Sequence, residues 1–93
     1  MSSRRLKHTP HVIKLVRALS PQIKKKIRMG MDEISKNPHS GKALINELDG
    51  FWTYRILRYR IIYRFDSSEI TFLLVGPRSS IYHDMISLLS RKQ

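Results

Sequence analysis

The sequence predicts an α+β domain in the order β-α-α-β-β-β-α, with an antiparallel sheet core, a helical hairpin packed on one face and a C-terminal helix. Three observations predict it. Apolar residues recur at helical spacing from Val12 to Ile34. The pattern changes to period two between Phe51 and Val75, and returns to helical spacing after Gly76-Pro77. Helices before and after a run of strands are the pattern of a layered α+β domain. The length of 93 residues allows one domain over 1–93 and leaves no room for a second core.

Each element has its own signal. Leu6 and His8 fit a short first strand. Thr9-Pro10 is an N-cap followed by proline at the first helical position, and Val12, Leu15, Val16 and Leu19 carry the first helix to about Leu19. Ser20-Pro21 repeats the cap-and-proline signal, Ile23, Ile27, Met31 and Ile34 form the apolar stripe of a second helix, and Asn37-Pro38 stops it. The break between the two helices is one or two residues long, so they form an antiparallel hairpin. After a loop from His39 to Gly50, Phe51 to Ile56, Tyr59 to Phe65 and Ile70 to Val75 read as three strands. Ser79 or Ser80 caps a third helix to about Leu89, with Ile81, Met85, Leu88 and Leu89 on its apolar side. All the helices are expected on one face of the sheet.

Strand alternation makes a specific register testable. A turn centred between Leu57 and Arg58 sets Ile56 against Tyr59, Arg55 against Arg60, Tyr54 against Ile61 and Trp52 against Tyr63. One face then carries Trp52, Tyr54, Ile56, Tyr59, Ile61, Tyr63 and Phe65 as core, and the other carries Thr53, Arg55, Arg60, Ile62 and Arg64. Directly opposed like charges cost roughly 0.2–1 kcal/mol. A phosphate between Arg55 and Arg60 would convert that repulsion into two charge-assisted hydrogen bonds. The alternative is a solvated basic strand face that blocks edge aggregation. Leu-Arg is poor chemistry for a primed two-residue turn.

Charge points the same way. Eighteen Lys and Arg against seven Asp and Glu give a net charge of +11, a self-repulsion that a polyanionic partner relieves. Lys24, Lys25, Lys26 and Arg28 fill most of the polar face of the second helix, and with Arg17 they offer non-specific phosphate contacts. The absence of cysteine fits a reducing cytoplasm and excludes disulfide or thiolate metal sites. No apolar run approaches the about 20 residues of a membrane span, and the basic segment Met1 to Lys7 is not followed by the apolar stretch of a signal peptide. His8 and His11 flank Pro10 without a carboxylate, so neither a metal nor another cofactor is expected. Glycine-rich phosphate loops and serine or cysteine nucleophile signatures are lacking.

The run from Glu47 to Tyr63, with Gly50-Phe51-Trp52-Thr53-Tyr54-Arg55 and Arg58-Tyr59-Arg60-Ile61-Ile62-Tyr63, resembles the central signature of the RelE/ParE toxin superfamily. Gly76-Pro77-Arg78 followed by Ile81-Tyr82 resembles its second signature, and the helical hairpin after Thr9 also fits. The resemblance spans nearly the whole chain. It implies a RelE-like fold and the toxin of a type II toxin–antitoxin module, without metal or cofactor. RelE-like members cleave mRNA on the ribosome, whereas ParE-like members inhibit DNA gyrase. Carried over singly, the RelE-like site implies catalytic roles for Arg55, Arg60, Arg78 and Tyr82. Arg58, Arg64, Lys24, Lys25 and Arg28 would then contact mRNA or rRNA. The chain departs from that pattern at Leu57, where a second basic residue is expected, and at Pro77 beside Arg78. The resemblance further implies an acidic, partly disordered antitoxin that wraps the basic surface. A gyrase inhibitor or an inactive nucleic-acid-binding relic are the alternatives.

Overall fold

The chain turns into its first helix where cap chemistry directs it. Thr9 Oγ1 accepts the Val12 N–H at 3.1 Å and Pro10 opens the helix, while Ser20, placed the same way before Pro21, makes no side-chain cap bond. The computed structural model describes residues 4–90, so Met1–Ser3 and Arg91–Gln93, including the start of the basic N-terminal segment, lie outside the described residues. The elements are β1 (Arg5–His8), α1 (Pro10–Arg17), α2 (Pro21–Lys36), β2 (Lys42–Ala43), β3 (Trp52–Ile56), β4 (Tyr59–Phe65), β5 (Glu69–Pro77) and α3 (Arg78–Ser90), with short 3₁₀ turns at Pro38–Ser40 and Asn46–Leu48. The expected order holds, with the two-residue β2 added inside the expected loop.

The sheet order is β1-β5-β4-β3-β2. Strands β3 to β5 are antiparallel as expected and β2 adds antiparallel to β3, but β1 runs parallel to β5, so the complete sheet is mixed. The β3–β4 register is the one alternation predicts, from Trp52 opposite Tyr63 through Arg55 opposite Arg60 to Ile56 opposite Tyr59. In β5 the pairing slips between Ile62 and Tyr63, which leaves Leu73 as a bulge. Ile70, Phe72 and Val75 therefore face one side and Leu74 the other.

The bulge gives the sheet two apolar faces. On the first, Val12, Ile27 and Ile34 pack on Ile61, Tyr63, Ile70 and Phe72, all fully buried, each side chain worth about 1.5–3 kcal/mol. Gly30 lets α2 lie this close, since a Cβ there would overlap Ile56 Cδ1. On the second face Ile62 and Leu74 are covered by Ile81 and Met85 of α3. This corrects the expectation that all helices share one face: α3 lies on the opposite side, and Ile62, expected among the open residues, is completely buried. Phe51 packs into the second cluster, while Trp52 packs against the first.

Tyr63 ties the sheet to the loop after α2. Its hydroxyl donates to Pro38 O at 2.6 Å and accepts the Gly41 N–H at 3.2 Å. Burial pushes the phenol up to about 12. An unfolded phenol ionises near 10.0. The stability it contributes is therefore complete below that pH and is lost as the pH rises towards the folded value. Tyr63→Phe is expected to cost about 1–3 kcal/mol in urea unfolding at neutral pH, because two backbone groups lose their partner. It is also expected to flatten the alkaline fall in stability. An unchanged alkaline limb would remove Tyr63 as its cause.

Candidate functional site

The site is built where the β3–β4 turn meets the junction of β5 and α3. Alternation puts Arg55 and Arg60 on the α3 side of the sheet, directly opposite one another. The turn between them contains Leu57 and Arg58. Leu57 has φ 54, whereas Arg58 lies outside the positive-φ region. A leucine in this region costs roughly 1–2 kcal/mol. Arg60 braces it: Nη1 donates to Tyr59 O at 3.0 Å and to Leu57 O at 3.3 Å. The Arg78 N–H donates to Arg58 O at 2.7 Å, which stitches the first residue of α3 to the hairpin tip.

These contacts close an open cleft of about 770 Å³ lined by Arg55, Leu57, Arg58, Arg60, Pro77, Arg78 and Ser79. It contains four guanidinium groups and no carboxylate. Among the described residues the salt bridges join Lys36 to Asp32 and Glu33, so none engages a cleft arginine. Guanidinium is always charged, donates only, and matches phosphate geometry in pairs. The cleft is thus suited to hold a phosphate and to stabilise added negative charge on it. It contains no side chain able to act as a base near neutral pH.

The cleft unites four of the expected residues: Arg55, Arg58, Arg60 and Arg78. Tyr82 is not among its walls; one helical turn beyond Arg78, it is half-buried against the second apolar cluster. Arg64 shares the sheet face with Arg60 but lies farther along β4, exposed and outside the cleft. Lys24, Lys25 and Arg28 line a shallow groove along α2 with Asp32 and Glu33, on the other side of the sheet. His83 is exposed and lines a separate recess with His11 and Asp84. Among the described residues no group of three or more His, Asp or Glu side chains is placed to hold a metal ion. Sequence reasoning missed Ser79, which lines the cleft, and the left-handed Leu57. The only signal for the latter was the mismatch between Leu-Arg and the turn it must form.

A two-faced mixed sheet with a helical hairpin on one side, a terminal helix on the other and an arginine cleft at the hairpin tip defines a RelE-like toxin fold. The model of the ParE toxin of type II toxin–antitoxin systems matches residues 4–82, and the chain belongs to this family within the RelE/ParE superfamily. No curated protein matches the sequence significantly. Among solved structures, a chain of the toxin–antitoxin complex RelBE2 from Mycobacterium tuberculosis is 26% identical, with a TM-score of 0.74 over 85% of this chain and 95% of that one. A double arginine-to-alanine variant of the Escherichia coli toxin RelE in the free state is 15% identical, with a TM-score of 0.72 over 92% and 97%. The YoeB dimer from Staphylococcus aureus gives 18% identity and a TM-score of 0.63 over 76% and 92%. No helix among the described residues is long and apolar enough to cross a membrane.

Proposed function

We propose that this toxin is a metal-independent endoribonuclease that cleaves mRNA on the ribosome. The observation that carries the reading is the cleft of four arginines without a carboxylate. In the reaction the RNA 2′-oxygen bonds to the adjacent phosphorus and the bond from phosphorus to the 5′-oxygen breaks. A 2′,3′-cyclic phosphate and a 5′-hydroxyl remain. The charge that develops on the phosphorane is met by Arg55, Arg60 and Arg78, with Arg58 and the Ser79 hydroxyl at the rim. The 2′-hydroxyl proton leaves to, and the 5′-oxygen gains one from, the solvent that fills the open cleft. Tyr82, half-buried behind Arg78, supports the helix that presents that arginine.

The cations of α2 would dock rRNA on the far side of the sheet, with the steep salt dependence of phosphate contacts. An acidic antitoxin made in the same cytoplasm would neutralise the toxin. The relative from Mycobacterium tuberculosis was solved as a toxin–antitoxin complex, which favours such a partner. One observation favours a second reading, inhibition of DNA gyrase: the matching family model is that of ParE. Tightly induced expression followed by mapping of mRNA 5′ ends separates the two. Codon-phased cuts on translated messages are expected. Intact messages with gyrase-dependent DNA breaks would replace the nuclease with the inhibitor.

A further inference from the structure

A second recess adjoins the arginine cleft across the hairpin tip. The pairing of β2 with β3 ends at Lys42 opposite Thr53, so the edge of β3 from Tyr54 to Ile56 is open where it reaches the turn. Between that edge and α2 lies a hollow of about 330 Å³ whose apolar surface comes from Met29, Tyr54, Ile56 and Leu57. Met29 and Leu57 are 60% and 62% exposed, and Leu57 is also held in a backbone conformation that leucine disfavours. Backbone strain of the kind Leu57 carries concentrates at active sites and ligand clamps. Arg55 and Leu57 line both hollows, so a chain gripped in one passes directly into the other.

The rim identifies the occupant. Lys26 and Arg55 attract a polyanion, while Glu33 on the same rim repels a phosphate but tolerates a neutral group. A nucleobase has an apolar face for leucine, methionine and tyrosine, and polar edges for the rim. We propose that this hollow is a nucleobase subsite. With a phosphate of single-stranded RNA between Arg55 and Arg60, the base of a neighbouring nucleotide lies over Leu57, Tyr54 and Met29. The subsite rests on the reading of the cleft as an RNA phosphate site.

Binding of three labelled probes to the intact protein tests it: a short single-stranded RNA, the same strand without bases, and inorganic polyphosphate of equal phosphate number. Wild type is expected to prefer RNA over the abasic strand by about fivefold or more. Leu57→Gly and Met29→Ser are each expected to reduce RNA binding to the abasic level, and Met29→Ser, which lies outside the arginine cleft, is expected to leave polyphosphate binding unchanged. Leu57→Gly melts no lower than wild type, since glycine adopts the positive φ freely. Equal binding of RNA and abasic strand by wild type, or wild-type RNA affinity in both variants, would overturn the subsite alone, provided Arg60→Ala weakens all three probes. If Arg60→Ala leaves RNA binding intact, or wild type binds no RNA, the cleft reading fails and the subsite with it.

Discussion

Arg60→Ala is expected to slow ribosome-dependent mRNA cleavage by about 10²–10³-fold, and Arg78→Ala by a similar factor, the loss typical of one donor aimed at developing charge. The two act from different elements. Arg60 comes from β4 and spends Nη1 on the carbonyls of Leu57 and Tyr59, so its side chain is set before substrate arrives. Arg78 opens α3 and is held at the tip through its own backbone bond to Arg58. Arg60→Lys retains the charge but loses the fork, and is expected to fall between wild type and alanine. Because no imidazole or carboxylate lines the cleft, the logarithm of the wild-type rate should rise with pH through about 6–8 without a bell. The check is cleavage of a ribosome-bound message under single-turnover conditions, with melting curves for each variant. Cleavage by Arg60→Ala at the wild-type rate would remove the arginines from the chemistry.

Gly41→Ala is expected to destabilise the fold by about 2–4 kcal/mol, measured by urea unfolding, from overpacking plus lost hydrogen bonds. A Cβ at Gly41 would overlap Tyr63 Oη and stand 2.5 Å from Thr53 O. The carbonyl is part of the sheet and cannot move aside, and the phenol is already fixed between Pro38 and Gly41. The backbone angles of Gly41 (φ −86, ψ −161) suit alanine, so the cost comes from contact rather than from conformation. A cost below about 1 kcal/mol would mean that the loop shifts away from β3 freely.

The hairpin register was legible because aromatic and aliphatic residues recur at every second position of both strands, and a loop of even length is the only one that keeps Trp52, Tyr54 and Ile56 on the side of Tyr59, Ile61 and Tyr63. The position of α3 was not, because its apolar footprint on the sheet is small. Ile62 stands between Arg60 and Arg64 and reads as a lone apolar residue on a charged face, and Leu74 joins it only because Leu73 bulges. Within the site, Arg55 and Arg60 follow from alternation, while Arg58 and Arg78 meet through a tertiary bond that no local pattern encodes. Tyr82 shows the limit of helical periodicity: four residues after Arg78, it packs against the second apolar cluster and does not line the cleft. The charged face of α2 was plain in the sequence, and its separation from the cleft depended on which face of the sheet each helix covers.

The bulge at Leu73 also works as a vernier. Ile70 pairs with Phe65 at one end of β5, and an unbroken ladder from that point would set Gly76 against Tyr59. The extra residue advances the strand by one step, so Pro77 takes that place and Arg78 falls beside Arg58. Phase between the core end of β5 and the arginine cleft is therefore set by one unpaired residue. An insertion or deletion in β5 would move Arg78 by a residue's rise, about 3.4 Å, and would exchange the faces of the side chains beyond it. Length changes in this strand would thus part Arg78 from Arg58, whereas changes in the loop before β3 leave the spacing of the arginines untouched.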